Sequence, residues 1–590
     1  MTKLLIPKIK YLIFIFGCLF FFSLAFSLVA QAAVLDEQVN FFVDSKYDFD
    51  NRNQLTATLR AIGNNVYFYV DNQYYNQLNG TYKNGLREKL EELANEFDTV
   101  IYPKLRTVYG SEWSPGIDND TRITVLVSQL TNSAGGYINI YDAYPKSTIT
   151  TSNEREMIYL NALNIFNSNN KTFLAHEFQH LITLYQKGIL RSLEEEIWLN
   201  EARSEYAPTI CGYDDVYNNS YLADRVGTFL DSPSDSLTEW KNEISDYGVV
   251  NTFIHYLVAH YGKEILTRMI LNDQVGMASI NQALSSLGYS ETFSDVFANW
   301  TIASYLNNCN ISSDNKYCYL NNNLNYNNLH VDYSASYSGF PNLIVSRSSS
   351  VKDWTSYWYR FRQSGAVSTD RNTLKLEFEG LGNKSNFRVP YIVSGYNTPT
   401  TVNYISLEDQ KGTIYIPDFT SLDKSVIIMP FNQYKLGGFG SNELSTLFSF
   451  TASSITEDEV VIEDNEEEIE LPSYPEGSLL RAKGDYKVYI IKNNYKRWIQ
   501  TAEIFNNYGH LSWDDIIDVD LNILNSYQEA WLIRADGDKR VYELNADGTK
   551  HWINMTAEQF TLTGHLWDMV YIVNDWERDF YTTGVDVMFE

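Results

Sequence analysis

The sequence predicts a multidomain chain: an α+β domain with a mixed sheet lobe and a helical lobe, then an antiparallel β-sandwich, then two small β-rich repeats. Three observations predict it. The chain has 590 residues, more than one core holds when domains run to about 100–200 residues. Its texture changes near residue 330, where helical patterns give way to short β-branched and aromatic runs, and again after residue 477, where an internal repeat begins. Hydrophobic residues make up 44% and aromatic residues 15%, the composition of a folding chain and not a disordered one.

The N-terminus reads as an export signal. Lys3, Lys8 and Lys10 precede an apolar run from Tyr11 to Val29, followed by Ala30-Gln31-Ala32. That is a basic, apolar and small-x-small succession, with cleavage expected after Ala32. Left uncleaved, the run is long enough for an N-terminal membrane anchor. Cys18 does not read as a lipoprotein site, because Phe16 and the apolar run beyond it break that pattern. The mature chain is therefore expected to be secreted, extracellular or associated with the cell surface. Cys309 and Cys318 are expected to form a disulfide there, and Cys211 to be a buried thiol. No Cys-x-x-Cys pair exists, which excludes a thiolate zinc site. The net charge of −29 excludes nucleic acid as a partner, since phosphates would be repelled.

Residues 33–165 form the sheet lobe. GLREKLEELANEFDTVIYPKL (85–105) has helical spacing, with Leu90, Leu93 and Phe97 on one face. RITVLVSQL (122–130), AGGYINIYD (134–142) and EMIYLNAL (156–163) read as strands. Residues 33 to about 80 are a candidate propeptide, although no dibasic processing site is visible. The helical lobe covers residues 166–325. TFLAHEFQHLITLYQKG is expected to end at Gly188 as a C-cap, and EEEIWLNEARSEYA carries acidic residues where a helix dipole favours them.

Residues 335–453 carry runs such as TLKLEFEG, GTIYIPDF and KSVIIMPFN between turn residues, the pattern of the sandwich. An acidic linker spans 455–476. The repeats occupy 477–528 and 529–590, with Lys487 and Arg540 at equivalent positions 53 residues apart. They suggest attachment, with a cell-envelope glycan or surface component as the candidate partner. ADGDK and NADGT are weak candidates for structural Ca²⁺ loops and read better as hairpin turns.

The chemistry sits in TFLAHEFQHL, residues 172–181 of a chain with only 8 histidines. On a helix, His176 and His180 lie on one face and can aim imidazole nitrogens at one point. Glu177 sits beside them as a carboxylate placed to take a proton from water. Glu201 follows His180 by 21 residues on a second helix, and two antiparallel helices can bring it opposite the pair. Two histidines, one glutamate and an open fourth position make a catalytic type of Zn²⁺ site, one ion per chain. Glu205, one turn beyond, is placed to orient a ligand histidine, with Asn200 next to Glu201 as a further supporting residue.

His176-Glu177-x-x-His180 followed by Asn200-Glu201-Ala202-x-Ser204-Glu205 resembles the gluzincin clan of zinc metallopeptidases, the thermolysin-like fold. The phrasing AHEFQHLI…WLNEARSEYA is most similar to its hyicolysin-type secreted members. The resemblance covers roughly residues 100–306. It implies zinc on His176, His180 and Glu201, Glu177 as general base, and a protein or peptide substrate that adds as a strand along a sheet edge. Gly136, Tyr137 and Asn139 of AGGYINIYD are the expected edge. It also implies an oxyanion donor from a later helix; Tyr247 is the candidate, with His255 and His260 as alternatives. The Gly-x-Met-Glu-Asn element of aminopeptidase relatives is absent, which favours an endopeptidase. The competing expectations are a non-catalytic adhesin or cell-envelope binding protein on the same fold, and a cell-wall hydrolase whose repeats hold glycan.

Overall fold

The strand patterns ahead of the histidines fold into one six-stranded sheet. The computed structural model describes residues 33–588 except 132–134, 168, 364–369, 383–384, 396–397, 421–423, 434–444, 460–473, 494, 521–522, 525–526, 546–547, 563–564 and 566. The expected export signal at 1–32 and most of the expected acidic linker lie outside the described residues. Among the described residues, no helix is long and apolar enough to cross a membrane. The chain is mixed α/β, in two compact units that meet in sequence at Gln186 and Lys187.

In the first unit, β1 (Gln38–Phe42), β2 (Gln54–Ile62) and β3 (Val66–Asp71) are antiparallel neighbours. β3, β4 (Ile123–Ser128) and β6 (Met157–Asn161) run parallel. Every residue of these three strands is buried, as expected for parallel strands covered on both faces. β5 (Gly136–Tyr137) is antiparallel to β6 and forms the sheet edge. The expected strand through 134–142 is therefore much shorter: Asn139 accepts a hydrogen bond from the Tyr141 amide and caps a 3₁₀ turn at Ile140–Ala143. The 85–105 segment is one buried face over three pieces, α2 (Gly80–Glu96), a π-helical turn Phe97–Ile101, and α3 (Tyr102–Tyr109). α4 (Asn170–Thr183) packs Phe178 against Phe97, with centroids 4.9 Å apart. Gly188 does not cap α4; the chain continues into a π-helical stretch, Leu184–Ile189, that contains it.

In the second unit, α5 (Ile197–Cys211) ends at Gly212, whose φ of 90° is the left-handed cap expected of glycine. α6 (Tyr221–Asp231), α7 (Ile244–Tyr261), α8 (Glu264–Leu271), α9 (Gly276–Ser286) and α10 (Phe293–Leu306) follow. The acidic residues ahead of α5 do more than favour its dipole. Glu195 accepts from buried Arg203 at 2.8 Å, and Glu196 from the Trp198 indole at 2.6 Å. Cys309 and Cys318 are joined in a disulfide, and Cys211 is buried and outside it.

Two sheets share one core in the sandwich. The first comprises β8 (Val345–Lys352), β17 (Ser445–Ile455), β10 (Thr373–Leu381) and β14 (Lys411–Ile416). The second holds β7 (Ala335–Phe340), β9 (Tyr359–Gln363), β15 (Ser425–Ile428), β12 (Pro390–Gly395) and β13 (Thr398–Tyr404). Phe361, Phe378, Phe448 and Phe450 interlock between them. One pair departs from the antiparallel expectation, because β7 runs parallel to β9.

The repeats fold alike. Each has an antiparallel three-stranded core, Leu479–Ala482, Val488–Lys492 and Tyr495–Ile499 in one and Leu532–Ala535, Tyr542–Leu544 and Thr549–Asn554 in the other. A parallel strand flanks each core, Ile516–Val519 and Val570–Val573 respectively. They pack together: Leu479, Val488, Ile499 and Phe505 share a core with Ile533, Tyr542, Leu544 and Tyr571. A buried Arg497–Glu577 ion pair at 2.6 Å crosses that core. In the ADGDK turn, Asp538 pairs with Arg540 and Arg578.

Candidate metal centre

α4 is buried nearly all round, which is why its apolar residues alone do not mark a solvent face. His176, Glu177 and His180 are 8%, 6% and 7% exposed. Three ionisable groups at that depth are costly unless paired with each other or with an ion. The ring Nε2 atoms of His176 and His180 lie 3.2 Å apart. Two nitrogens about 2.0–2.1 Å from one tetrahedral Zn²⁺ would stand about 3.3 Å apart, so the pair is spaced for a shared ion. One ligand atom from each of His176, His180 and Glu201 lies within 4.8 Å of the others. A set of two imidazoles and one carboxylate matches the donors of catalytic zinc. The residues fit the ion.

Gly136 of β5 pairs with Leu160 of β6. A Cβ built on Gly136 would lie 3.0 Å from Glu177 Cγ and 3.1 Å from its Oε1, so this edge passes directly beside the carboxylate. Tyr137 points to the other face, as alternation along a strand requires. Its ring stacks on Tyr159 (4.3 Å, 5°) and Tyr47 (4.5 Å, 19°). Tyr159 donates to Asp142 Oδ2 at 2.6 Å, and burial lifts the Asp142 carboxyl to about 6 and pushes both tyrosines up. This stack holds the edge from beneath. Asn139 is not part of the strand.

Glu201 is in the second turn of α5, and Glu205 one turn on is fully buried. The Glu205 carboxylate accepts from Arg225 Nε (2.9 Å) and Nη2 (3.1 Å), Tyr221 (2.7 Å) and Asn251 Nδ2 (3.1 Å). Those donors come from α6 and α7, so Glu205 ties α5 to two neighbours. Tyr247 donates to Asn242 Oδ1 at 3.1 Å, with its ring beside Trp240 and under the Arg225 guanidinium. His255 lies 3.3 Å from Thr209 Oγ1 and on the Tyr206 ring, and burial pushes it down to about 3. His260 lies 2.9 Å from the Cys318 carbonyl and is also lowered by burial. Both histidines serve the packing of the helical region.

Two features escaped the sequence reading. Arg225, Tyr221 and Asn251 carry no spacing signal that points to Glu205. The Gly135-Gly136 pair was visible as a doublet, but its cause, close approach to α4, was not.

No model of a protein family matches the chain, and no curated protein matches it. The solved structures that it resembles include distant likenesses. One contains the CBM32-1, CBM32-2 and M60 catalytic domains of Clostridium perfringens ZmpB, at 12% identity over 65% of this chain and 36% of that one, with a TM-score of 0.24. Another is the M60 catalytic domain of C. perfringens ZmpC in complex with the sialyl T antigen, at 12% identity over 65% and 68%, TM-score 0.23. A third is the pre-peptidase C-terminal domain of Bacillus anthracis collagenase, at 6% identity over 21% and 97%, TM-score 0.15. At such TM-scores they carry no argument about this chain.

Proposed function

We propose that the chain is a secreted zinc-dependent endopeptidase of the thermolysin-like, gluzincin type, with hyicolysin-type peptidases as the group it resembles. The observation that carries the reading is the close set of ligand atoms from His176, His180 and Glu201. Bound there, Zn²⁺ would supply Lewis acidity toward water and the scissile carbonyl. Glu177 takes the proton from the attacking water and later hands it to the leaving amine. The edge at Gly136 and Tyr137 receives the peptide as an added strand. Tyr247 is the proposed donor to the developing oxyanion. Glu205 holds α5 so that Glu201 keeps its place, and Asn200 beside Glu201 is proposed as a further supporting residue.

The test is Glu177→Gln. Expected are one zinc per chain, as in the wild type, and loss of casein cleavage by at least a hundredfold. Cleavage at the wild-type rate would falsify the assignment of the base. A second reading, a surface adhesin on this fold, is favoured by one feature. Trp513 and Trp567 are 48% and 49% exposed at equivalent places in the two repeats. Zinc binding without any cleavage, with a chelator-treated control, would select that reading.

A further inference from the structure

The Gly135-Gly136 doublet lies along one stripe of α4. Phe173 and Glu177 are one turn apart and share a face of that helix. A Cβ on Gly135 would meet Phe173 Cδ1 and Cε1 at 2.6 Å. A Cβ on Gly136 would meet the Tyr159 carbonyl oxygen at 2.8 Å, then Glu177 Cγ at 3.0 Å and Oε1 at 3.1 Å. Neither residue is among the glycines with positive φ, whereas Gly110, Gly116 and Gly212 are. Backbone freedom is therefore not what these two positions need. They need the missing side chain. Gly135 lets the edge backbone close onto the Phe173 ring, and Gly136 leaves the space that the Glu177 side chain fills.

We propose that Gly136 is a positioning residue for Glu177: its bare Cα confines the carboxylate between the sheet edge and the body of α4, and so sets its direction. Gly135 acts one step earlier, by fixing the distance between edge and helix at Phe173. The consequence for catalysis rests on the endopeptidase reading above; the contact itself does not. The nearest atoms to a methyl group at Gly136 belong to Tyr159 and Glu177 and not to His176 or His180. The methyl group must either turn the Glu177 side chain or part β5 from β6 at the Tyr159 carbonyl.

The experiment uses the full zinc-loaded chain with Gly136→Ala. Expected are unchanged zinc stoichiometry, a KM for casein within about threefold of wild type, and a kcat lower by about ten- to a hundredfold, the size of effect that a small misplacement of a reacting group produces. A crystal structure of the variant should show the Glu177 carboxylate turned from the edge. Thermal unfolding adds a readout independent of activity. Gly136→Ala should lower Tm in the wild-type background and less in Glu177→Ala, because the contacts with Glu177 are then gone and only that with the Tyr159 carbonyl remains. Gly135→Ala should instead be relieved by Phe173→Leu, which does not relieve Gly136→Ala. Wild-type kcat in Gly136→Ala, an unmoved Glu177 carboxylate, or equal Tm losses in both backgrounds would overturn the proposal. If wild type and Glu177→Gln alike cleave nothing, the peptidase reading fails, and the crystal structure and Tm comparison still decide the contact.

Discussion

Replacing Glu205 by Gln is expected to loosen the helix that carries Glu201. The carboxylate is fully buried and accepts hydrogen bonds from Arg225 at 2.9 and 3.1 Å, from Tyr221 and from Asn251. Removing one member of such a buried pair costs ~3–5 kcal/mol, because the other charge stays behind without compensation. Gln keeps the shape and one acceptor oxygen, so the lower end, about 3 kcal/mol, is expected for Glu205→Gln. The assay is urea unfolding followed by the fluorescence of the buried helical tryptophans, with Arg225→Met to complete a double-mutant cycle. Arg225→Met in the Gln background should cost little further, and the coupling should reach ~1–3 kcal/mol. Zinc affinity, read by competition with a chromophoric chelator, should fall by about tenfold or more. A Glu205→Gln cost below about 1 kcal/mol with no coupling to Arg225 would refute the reasoning, since the pair would then not be what holds α5.

Two further outcomes follow from groups away from the candidate zinc ligands. His255 has a folded pKa of about 3, below the ordinary value of 6.5, because burial disfavours its charged form. The unfolded chain therefore takes up a proton that the native state refuses, and the stability His255 provides is lost as pH falls from about 6.5 toward about 3. His255→Gln should flatten the urea midpoint against pH over that window, and an unchanged slope would count against the assignment. Reducing the Cys309–Cys318 bridge, which closes a loop with a sequence separation of 9, should cost ~2.5–3 kcal/mol by loop entropy. Urea unfolding with and without dithiothreitol reads it directly, and identical curves would contradict it.

Much of the candidate site was legible in the chain itself. The spacing of His176 and His180 on a helical pattern places both rings on one face, and the structure puts their Nε2 atoms 3.2 Å apart. Glu201 was legible because it too lies in a strongly helical segment, where position in sequence converts into position on a face. The strands at 123–128 and 157–161 were legible from their short apolar runs, the first of them β-branched. AGGYINIYD was not, because alternation over so short a stretch does not distinguish a strand from a turn, and only Gly136 and Tyr137 pair. Gly188 misled for a related reason: glycine marks a helix end only where the chain turns left-handed, and here it continues through a π-helical stretch.

What the sequence determined by itself is whatever depends on spacing along one element: the histidine pair, the amphipathic face of α2, the repeat of the tail. What only the tertiary structure decided are the partners met across elements. Glu205 meets Arg225, Tyr221 and Asn251, 20, 16 and 46 residues away, and Gly136 meets Glu177 on a helix beyond an intervening strand. Periodicity is a property of neighbours in the chain and is written in their order. Contacts between elements depend on how whole helices and strands pack, and no local pattern carries that information.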